Sequence, residues 1–450
     1  MIVIPNLKLA PGADEAALKA LAAKALKIPA GDIAGLRIRK KSLDARRKDD
    51  IHYVYTVGVT VRGDEQRLVR RCRSAAITRE KTYPIPHVAP PETRPVIVGF
   101  GPAGMFAALL LARAGARPIV LERGPDARTR SAQIAAFRAG GAFDPECNVQ
   151  FGEGGAGTFS DGKLNTGTHD ARIGFVLAEF AAHGAPEHIT YDAKPHIGTD
   201  VLVEVVQNLR HEVIVRGGEV RFGHRVTGLS TQDGRITALT VHSPEGEYTL
   251  PAQQVILAIG HSARDTFEML HTQGVPMEPK PFSMGVRIEH RQSDINTAQY
   301  GAAADRLPAA DYSLSCHLPD GSSAYTFCMC PGGEVFAAAS EQGGVCTNGM
   351  SSSRRDGENA NAAVLVTLHP EDFPDKGTLG GMYWQRSIEQ RAYASMEGEI
   401  SSQRIGDMVM EELKATNDVA YVRFAAVYRL FTDIGTFMQE LQKLLDEGKK

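Results

Sequence analysis

Three glycines spaced Gly99-x-Gly101-x-x-Gly104, with Glu122 eighteen residues further on, are the residues of this chain best suited to holding a ligand. They lie in Pro95-Val-Ile-Val-Gly-Phe-Gly-Pro-Ala-Gly104, a β-rich run that passes straight into the Ala/Leu-rich segment Met105–Ala114. Gly99 permits a tight turn, Gly101 lets the backbone approach a diphosphate, and Gly104 lets helix and strand pack closely. Pro102 and Ala103 open the helix, whose free N–H groups and positive dipole end favour phosphate. Gly115 stops that helix, and Arg117–Leu121 reads as a second strand. Glu122 closes the strand where a carboxylate can accept both ribose hydroxyls, with Arg123 beside it. A lone G-x-G-x-x-G can be a surface turn. Here strand, glycines, helix, second strand and acid follow in order, which predicts a site for the ADP half of a dinucleotide.

Two later segments favour FAD over a nicotinamide cofactor. The first is Phe151-Gly-Glu-Gly-Gly-Ala-Gly-Thr-Phe-Ser-Asp-Gly-Lys-Leu-Asn165, whose glycines let backbone come close to a ligand. Gly157, Thr158, Ser160 and Lys163 are its candidate contacts, and Lys163 can neutralise the pyrophosphate or the charge of reduced flavin. A flexible linker is the alternative reading. The second segment, Val255-Ile-Leu-Ala-Ile-Gly260-His-Ser-Ala-Arg264, resembles the part of FAD-dependent hydroxylases and reductases where a buried strand returns to the cofactor and ends in Ala-Thr-Gly, with Ile259 in place of the threonine; a plain core strand is the alternative reading. No second G-x-G-x-x-G on a strand–helix unit follows, so NAD(P)H is expected only as a transient electron donor.

Reactive side chains are fewer. Cys328-Met-Cys330-Pro-Gly-Gly333 places two thiols one residue apart, where they can exchange electrons with a flavin or a substrate disulfide. The plainer reading, preferred here, packs both as small apolar groups against the flavin ring. His290 and His261 are candidate proton donors, and a structural role is commoner for either. Arg287 and Arg264 can hold an anionic substrate or serve at the surface. Fourteen histidines include no metal-spaced cluster, so no metal is expected.

The elements that must position these residues fall into blocks. Ile2–Leu9 reads as a strand, and Asp14–Leu26 carries Leu18, Leu21, Ala22, Ala25 and Leu26 at helical spacing. Leu36–Ile38 and Ile51–Val61 read as strands and Asp64–Arg73 as a helix, a βαββα order like a ferredoxin-like half-sandwich. The basic cluster Arg37, Arg39, Lys40, Lys41, Arg46, Arg47 and Lys48 reads as a charged strand edge. Pro84, Pro86, Pro90, Pro91 and Pro95 make a stiff connector at 85–94. Further on, a helix over Asp200–Val215 and strands near Val220–Leu229 and Arg235–Val241 are expected.

Composition sets outer bounds. The 450 residues are 43% hydrophobic, with 50 basic against 53 acidic residues for a net charge of -3. Nothing there provides the positive excess a nucleic-acid-coating protein needs, so a small-molecule substrate is expected and nucleic acid is not. The N-terminus lacks a basic stretch ahead of an apolar core, and no apolar run approaches the ~20 residues of a membrane span. Six cysteines in a chain this long fit reduced thiols and a cytoplasmic location. Oligomeric state cannot be read from these features.

Beyond these local readings, long strings resemble a family of bacterial FAD-dependent dehydrogenases whose physiological substrate is not established. The strings are KKSLDARRKDDIHYVYTV, FGEGGAGTFSDGKLNTG, PFSMGVRIEH at 281–290 and YTFCMCPGGEV at 325–335. They continue with TNGMSSSRRDGENAN at 347–361 and GGMYWQRSIEQRAY at 380–393. The resemblance implies an α/β architecture: a glutathione-reductase-type, Rossmann-like FAD domain at 95–274 with an inserted mixed α/β substrate domain at 275–393. The N-terminal α+β module at 1–84 precedes them. The segment with which the family closes its FAD domain is not found after Tyr393, which implies an unpaired sheet edge. Residues 399–445 resemble instead the end of the ATP-cone domain of the bacterial repressor of ribonucleotide reductase genes, through IGDMVMEELK and DVAYVRFAAVYRLF.

That tail, 394–450, reads as three helices, with apolar stripes Ile405, Met408, Val409, Leu413 and Ile434, Phe437, Met438, Leu441, Leu444, Leu445. Ser402 and Thr432 are candidate N-caps. The repressor's zinc ribbon needs paired C-x-x-C motifs, and the chain contains none. The pattern suggests a hybrid reading frame, most of a flavoenzyme joined to a repressor fragment. The expected function is an FAD-dependent oxidoreductase, with a non-catalytic flavin-binding module and a nucleotide-sensing regulator as rivals.

Overall fold

In the computed structural model, described residues are 1–72, 74–79, 83–164, 168, 170, 172–317, 323–394, 406–411 and 421–422. The N-terminal module runs β1 (Ile2–Leu9), α1 (Ala17–Leu26), β2 (Ile33–Asp44), β3 (His52–Val61), α2 (Glu65–Arg71) and β4 (Ala76–Ile77). Its antiparallel sheet has the order β2-β3-β1-β4. The βαββα reading therefore lacked one element: two residues of β4 pair with β1 and complete a split βαβ sandwich. Alternation explains the faces, since Ile2, Ile4, Val57 and Val59 all turn under α1 onto Leu18, Ala22 and Leu26. Asp64 caps α2 by accepting from the amides of Gln66 and Arg67.

The basic stretch does lie on edge strand β2, but part of that edge is covered. The Lys41 amide donates to the Tyr191 carbonyl at 2.8 Å, and Ala193 returns a bond to the Lys41 carbonyl at 2.8 Å. Lys41 also pairs with Glu15 at 2.7 Å, while Arg46 and Arg47 pair with Asp44 and Asp49. The Lys41 backbone thus ties the module to residues 191–193.

Four parallel strands, β5 (Val96–Val98), β6 (Ile119–Glu122), β7 (Glu219–Phe222) and β11 (Val255–Leu257), stand in the order β11-β5-β6-β7. Between them run α3 (Pro102–Ala114), α4 (Ala127–Arg138), α5 (Arg172–Ala182), α6 (Thr199–Val215) and the antiparallel β8 (Arg225–Gln232), β9 (Arg235–Ser243) and β10 (Gly246–Pro251). Ile97 and Val120 face α3 and α6, whereas Val96, Val98, Ile119 and Leu121 face the β8–β10 meander through Val226, Leu239 and Val241. The result is three layers, helix on sheet on sheet. Among the described residues β11 pairs only with β5, and its Ile256 and Leu257 are exposed. After β11 comes α7 (Arg264–Thr272).

One charged clamp holds the helical layer. Arg113 near the end of α3 reaches Glu179 of α5 at 2.6 Å and Glu212 of α6 at 2.8 Å, and His183 also meets Glu212 at 2.8 Å. The Arg113 guanidinium, helped by Arg216 and His183, holds the Glu212 carboxyl down at about 2, against 4.5 for a free glutamate. A carboxyl titrating lower in the folded than the unfolded chain stabilises the fold above pH ~4.5 and stops doing so as pH falls toward 2. Glu212→Gln is expected to lower stability at pH 7 by about 1 kcal/mol, after allowing for solvent screening. Urea midpoints of the two proteins should converge between pH 4.5 and 2; a constant gap contradicts the clamp.

The last block comprises β12 (Phe282–Arg291), α8 (Gln292–Tyr300), β13 (Ser315–His317), β14 (Ser323–Cys330), β15 (Gly333–Ala337), β16 (Thr347–Ser351), β17 (Asn359–Leu368) and α9 (Gly380–Ala394). Its main antiparallel sheet has the order β12-β17-β14-β13, and β15 pairs with β16. Residues 406–411 are helical. Val409, Met410 and Tyr421 share a core with Phe373, Trp384 and Ile388, so this much of the tail packs onto the β12-β17-β14-β13 sheet. Ile405, Leu413, the stripe from Ile434 to Leu445, and the candidate caps Ser402 and Thr432 lie outside the described residues. Among the described residues no helix is long and apolar enough to cross a membrane.

Candidate functional site

The glycine turn leaves β5 with Gly99 at φ +97°, where a Cβ would come within 2.9 Å of the Ala258 carbonyl carbon on the neighbouring strand. Gly104 lies inside the first turn of α3, and a Cβ there would sit 3.0 Å from the Gly99 carbonyl carbon and nearer still to its oxygen. Both positions are closed to side chains by the protein's own backbone. Gly101 differs: its Cβ would meet only Gly155 Cα, at 3.7 Å. Gly101 and Gly155 thus bound a slot that the backbone leaves open beside the N-terminus of α3. Pro102 occupies the first helical position, so the first donors there are Ala103 and Gly104.

Glu122 is buried and pins this turn. Its Oε2 accepts from the Phe100 amide at 2.7 Å, and Oε1 from the amides of Gly124 at 2.9 Å and Gly152 at 3.0 Å. The expectation that the carboxylate accepts both ribose hydroxyls is therefore revised. Each oxygen takes about two donors, so Oε1 is filled and Oε2 retains one position.

A cavity of about 600 Å³ opens over these residues, lined by Gly99, Gly101, Pro102, Ala103, Glu122, Arg123, Gly157 and Gly260 among others. Arg123 forms one wall, its guanidinium 4.1 Å from the Phe151 ring centroid and paired with Glu146 and Asp265. A second cavity of about 490 Å³ lies against the substrate sheet, at Ser283, Gly285, Arg287, Ala363 and Leu365. Gln150, His261 and Ser262 line both, so the two adjoin. Burial and the nearby Arg264 charge hold the His261 imidazolium pKa below its ordinary value, favouring the neutral ring. Three buried polar atoms around the junction and the second cavity have no protein partner: Gln150 Oε1, Arg287 Nε and Asn361 Nδ2. Unpaired buried polar atoms are costly, and a bound polar ligand is one way to satisfy them.

Not every expected contact reaches the cleft. Gly104 lies beneath it as packing. Thr158 is buried, with Oγ1 unpaired, under Gly154. Lys163 turns away from the pyrophosphate position: its ammonium pairs with buried Asp161 at 2.8 Å and donates to the Met329 carbonyl. Arg264 is not available to a substrate, being held by Glu341 at 2.8 Å and Glu389 at 2.6 Å. His290 falls on the opposite face of the substrate sheet, its ring centroid 5.5 Å from that of Tyr312, in a separate apolar cavity with Ile288, Ile295 and Leu314. Its placement leaves it no part in flavin chemistry at the two joined cavities.

Sequence reasoning missed the residue that shapes the glycine-rich loop. Arg130 of α4 is fully buried and donates to the carbonyls of Asn148 at 2.9 Å, Glu153 at 2.9 Å and Gly155 at 2.8 Å. Nothing in its local sequence marks it, because its partners lie a loop away.

With this geometry in place, relatives can be compared. Residues 92–145 match the model of an FAD binding domain, and residues 281–447 that of an FAD-dependent protein, C-terminal domain-like. An uncharacterized protein of Clostridium beijerinckii is 43% identical over 421 residues, covering 92% of this chain and 78% of its own. The chain belongs to this family of FAD-dependent proteins. Residues 1–60 also match a domain of unknown function. The family match from 281 to 447 runs through the segment that resembles the repressor. Sixty residues, 13% of the chain, are 62% identical to the transcriptional repressor NrdR of Caldicellulosiruptor saccharolyticus and span 39% of that protein. Among solved structures, the flavin-dependent brominase Bmp2 covers 75% of this chain and 82% of its own at 11% identity, with a TM-score of 0.34, a distant likeness only.

Proposed function

We propose that the two joined cavities hold FAD and that the chain is an oxidoreductase, passing hydride between a donor and a small-molecule acceptor. The observation that carries this reading is the continuity of the cleft: a glycine-turn pocket opens through Gln150, His261 and Ser262 into a second pocket floored by the substrate sheet. A ligand with a nucleotide at one end and a reactive ring at the other has that outline. FAD supplies a two-electron hydride acceptor at N5 when bound. The protein's part is to bind and orient. The slot at Gly101 and the amide of Ala103 suit the diphosphate, Glu122 Oε2 suits a ribose hydroxyl, and Arg287 supplies positive charge in the second cavity. Neutral His261, at the junction, can accept a proton there. NAD(P)H is the proposed donor, binding transiently because the sequence has no second glycine motif on a strand–helix unit.

The test is the small molecule released on heating, identified by mass spectrometry, together with absorbance near the flavin maximum. Wild-type protein is expected to be yellow and to bleach anaerobically with NADH or NADPH. Gly101→Val is expected to lose at least ten-fold in bound flavin, because the new side chain fills the slot while leaving Gly99 and Gly104 intact. Retained flavin in that variant refutes the assignment of the slot. Colour without bleaching by either donor favours a flavin-binding module that does not turn over.

A further inference from the structure

We propose that Cys328 and Cys330 form a nucleophile-and-resolver thiol pair that reduces a small disulfide.

The backbone around them departs from regular sheet. Phe327 lies opposite Ala363 but Cys330 lies opposite Asn361, so three steps on β14 match two on β17. This one-residue bulge changes which face each side chain takes. Without it, Cys330 would share parity with Ala324 and Thr326, which line the apolar cavity near Tyr312. With it, Met329 goes to that side, packing with Ala360 and Ala362, and Cys330 emerges beside Asn361, Gly349 and Arg287. Cys328 is the residue that takes up the irregularity, at φ +46°. A non-glycine residue in the left-handed region costs about 1–2 kcal/mol, and such outliers gather at functional sites.

The surroundings suit thiol chemistry. Arg287 donates to the Cys328 carbonyl at 3.2 Å, and Lys163 donates to the Met329 carbonyl, so two cations flank the pair. Cys330 Sγ is 3.2 Å from the Cys328 carbonyl oxygen. A hydrogen bond from the Cys330 thiol lowers the Cys328 pKa, the Lys163 and Arg287 charges lower it further, and the same bond raises that of Cys330. One member is thereby biased to thiolate and the other to thiol. Exposure divides them the same way, since Cys328 is partly exposed and Cys330 fully buried. Metal binding is a poorer reading: among the described residues, the one group of ligand atoms placed for an ion is Glu179, His183 and Glu212, which excludes both cysteines.

The reaction balances without further reagents. The Cys328 thiolate attacks one sulfur of R–S–S–R′, forming a mixed disulfide and expelling R′S⁻. Cys330 gives up its proton to the expelled R′S⁻ and attacks the Cys328 sulfur, forming the Cys328–Cys330 bond and releasing RS⁻. The protein pair is oxidised by two electrons and the substrate reduced by two. This half-reaction goes beyond the proposed flavin chemistry and does not depend on it.

The test uses full-length protein carrying Cys316→Ser and Cys346→Ser, which removes the two exposed thiols, with 5,5′-dithiobis(2-nitrobenzoate) as the probe. The pair is expected to release two thionitrobenzoates per chain in one fast phase and to end cross-linked, as peptide mass mapping would show. Adding Cys330→Ser should stop the reaction at one, with the mixed disulfide retained on Cys328, and Cys328→Ser should lose the fast phase. The fast phase should have a midpoint below the ~8.5 of a free thiol, moving up by about one pH unit in Lys163→Met. Release of a single thionitrobenzoate by the parent, with one cysteine retained as the mixed disulfide and the other still alkylatable, overturns the proposal. So does a fast phase that survives Cys328→Ser. The parent's count and cross-link decide the matter even if a variant fails to fold. Flavin content, read on the same sample, reports on the FAD assignment separately.

Discussion

Gly104→Ala should yield a protein without flavin and with a melting temperature lower by roughly 6–12 °C, for a loss of about 3 kcal/mol. The added methyl has nowhere to go. It would press on the Gly99 carbonyl, in a turn whose Gly99 amide is bonded to the Leu121 carbonyl at 2.8 Å. A side chain can rotate aside, but this carbonyl can move only if α3 slides away from β5. That displacement would carry the helix N-terminus off the diphosphate position. Gly101→Ala is the control, because its Cβ meets Gly155 at an ordinary 3.7 Å and its φ of -74° suits any residue. It should change stability by no more than about 1 kcal/mol. Calorimetry of the two proteins discriminates: equal melting temperatures would show that the helix–strand contact at Gly104 is not tight.

Arg130→Met should cost on the order of 3–5 kcal/mol and disorder the loop around 148–155. Methionine fills similar volume but offers no donors, so carbonyls of Asn148, Glu153 and Gly155 would stay buried without partners. Lysine is not a substitute, because a single ammonium cannot reproduce the guanidinium's planar fork. The loop carries Gly152 against Glu122 and Gly155 against Gly101, so its loss reaches the nucleotide slot from the far side. Limited proteolysis should show new cleavage between residues 148 and 163, together with flavin loss. A variant as protease-resistant as the parent would show that the loop is held by other contacts.

Much of the glycine turn was legible because its requirements are local. Gly99 needs a positive φ and Gly115 a left-handed helix end, and both demands act within a few residues of chain. The unbroken apolar runs of β5 and β6 likewise report two buried faces directly. Lys163 was not legible in this way. It lies in the glycine-rich loop as expected, yet its ammonium sits on Met329, far along the chain, because buried Asp161 draws it there. His290 failed for a related reason: a residue on a strand has two possible faces, and only packing against α8 and Tyr312 decided which.

From the residues alone came the glycine turn, the acid that closes the second strand, and the succession of a small α+β module, a nucleotide domain and a further sheet. Those follow from backbone sterics and short-range periodicity, which each segment carries within itself. Only the folded chain decided that Arg130 gathers three loop carbonyls, that Arg264 is consumed by glutamates, and that a bulge turns Cys330 beside Arg287. Each of these joins residues distant in sequence, where strand register and burial choose the partners.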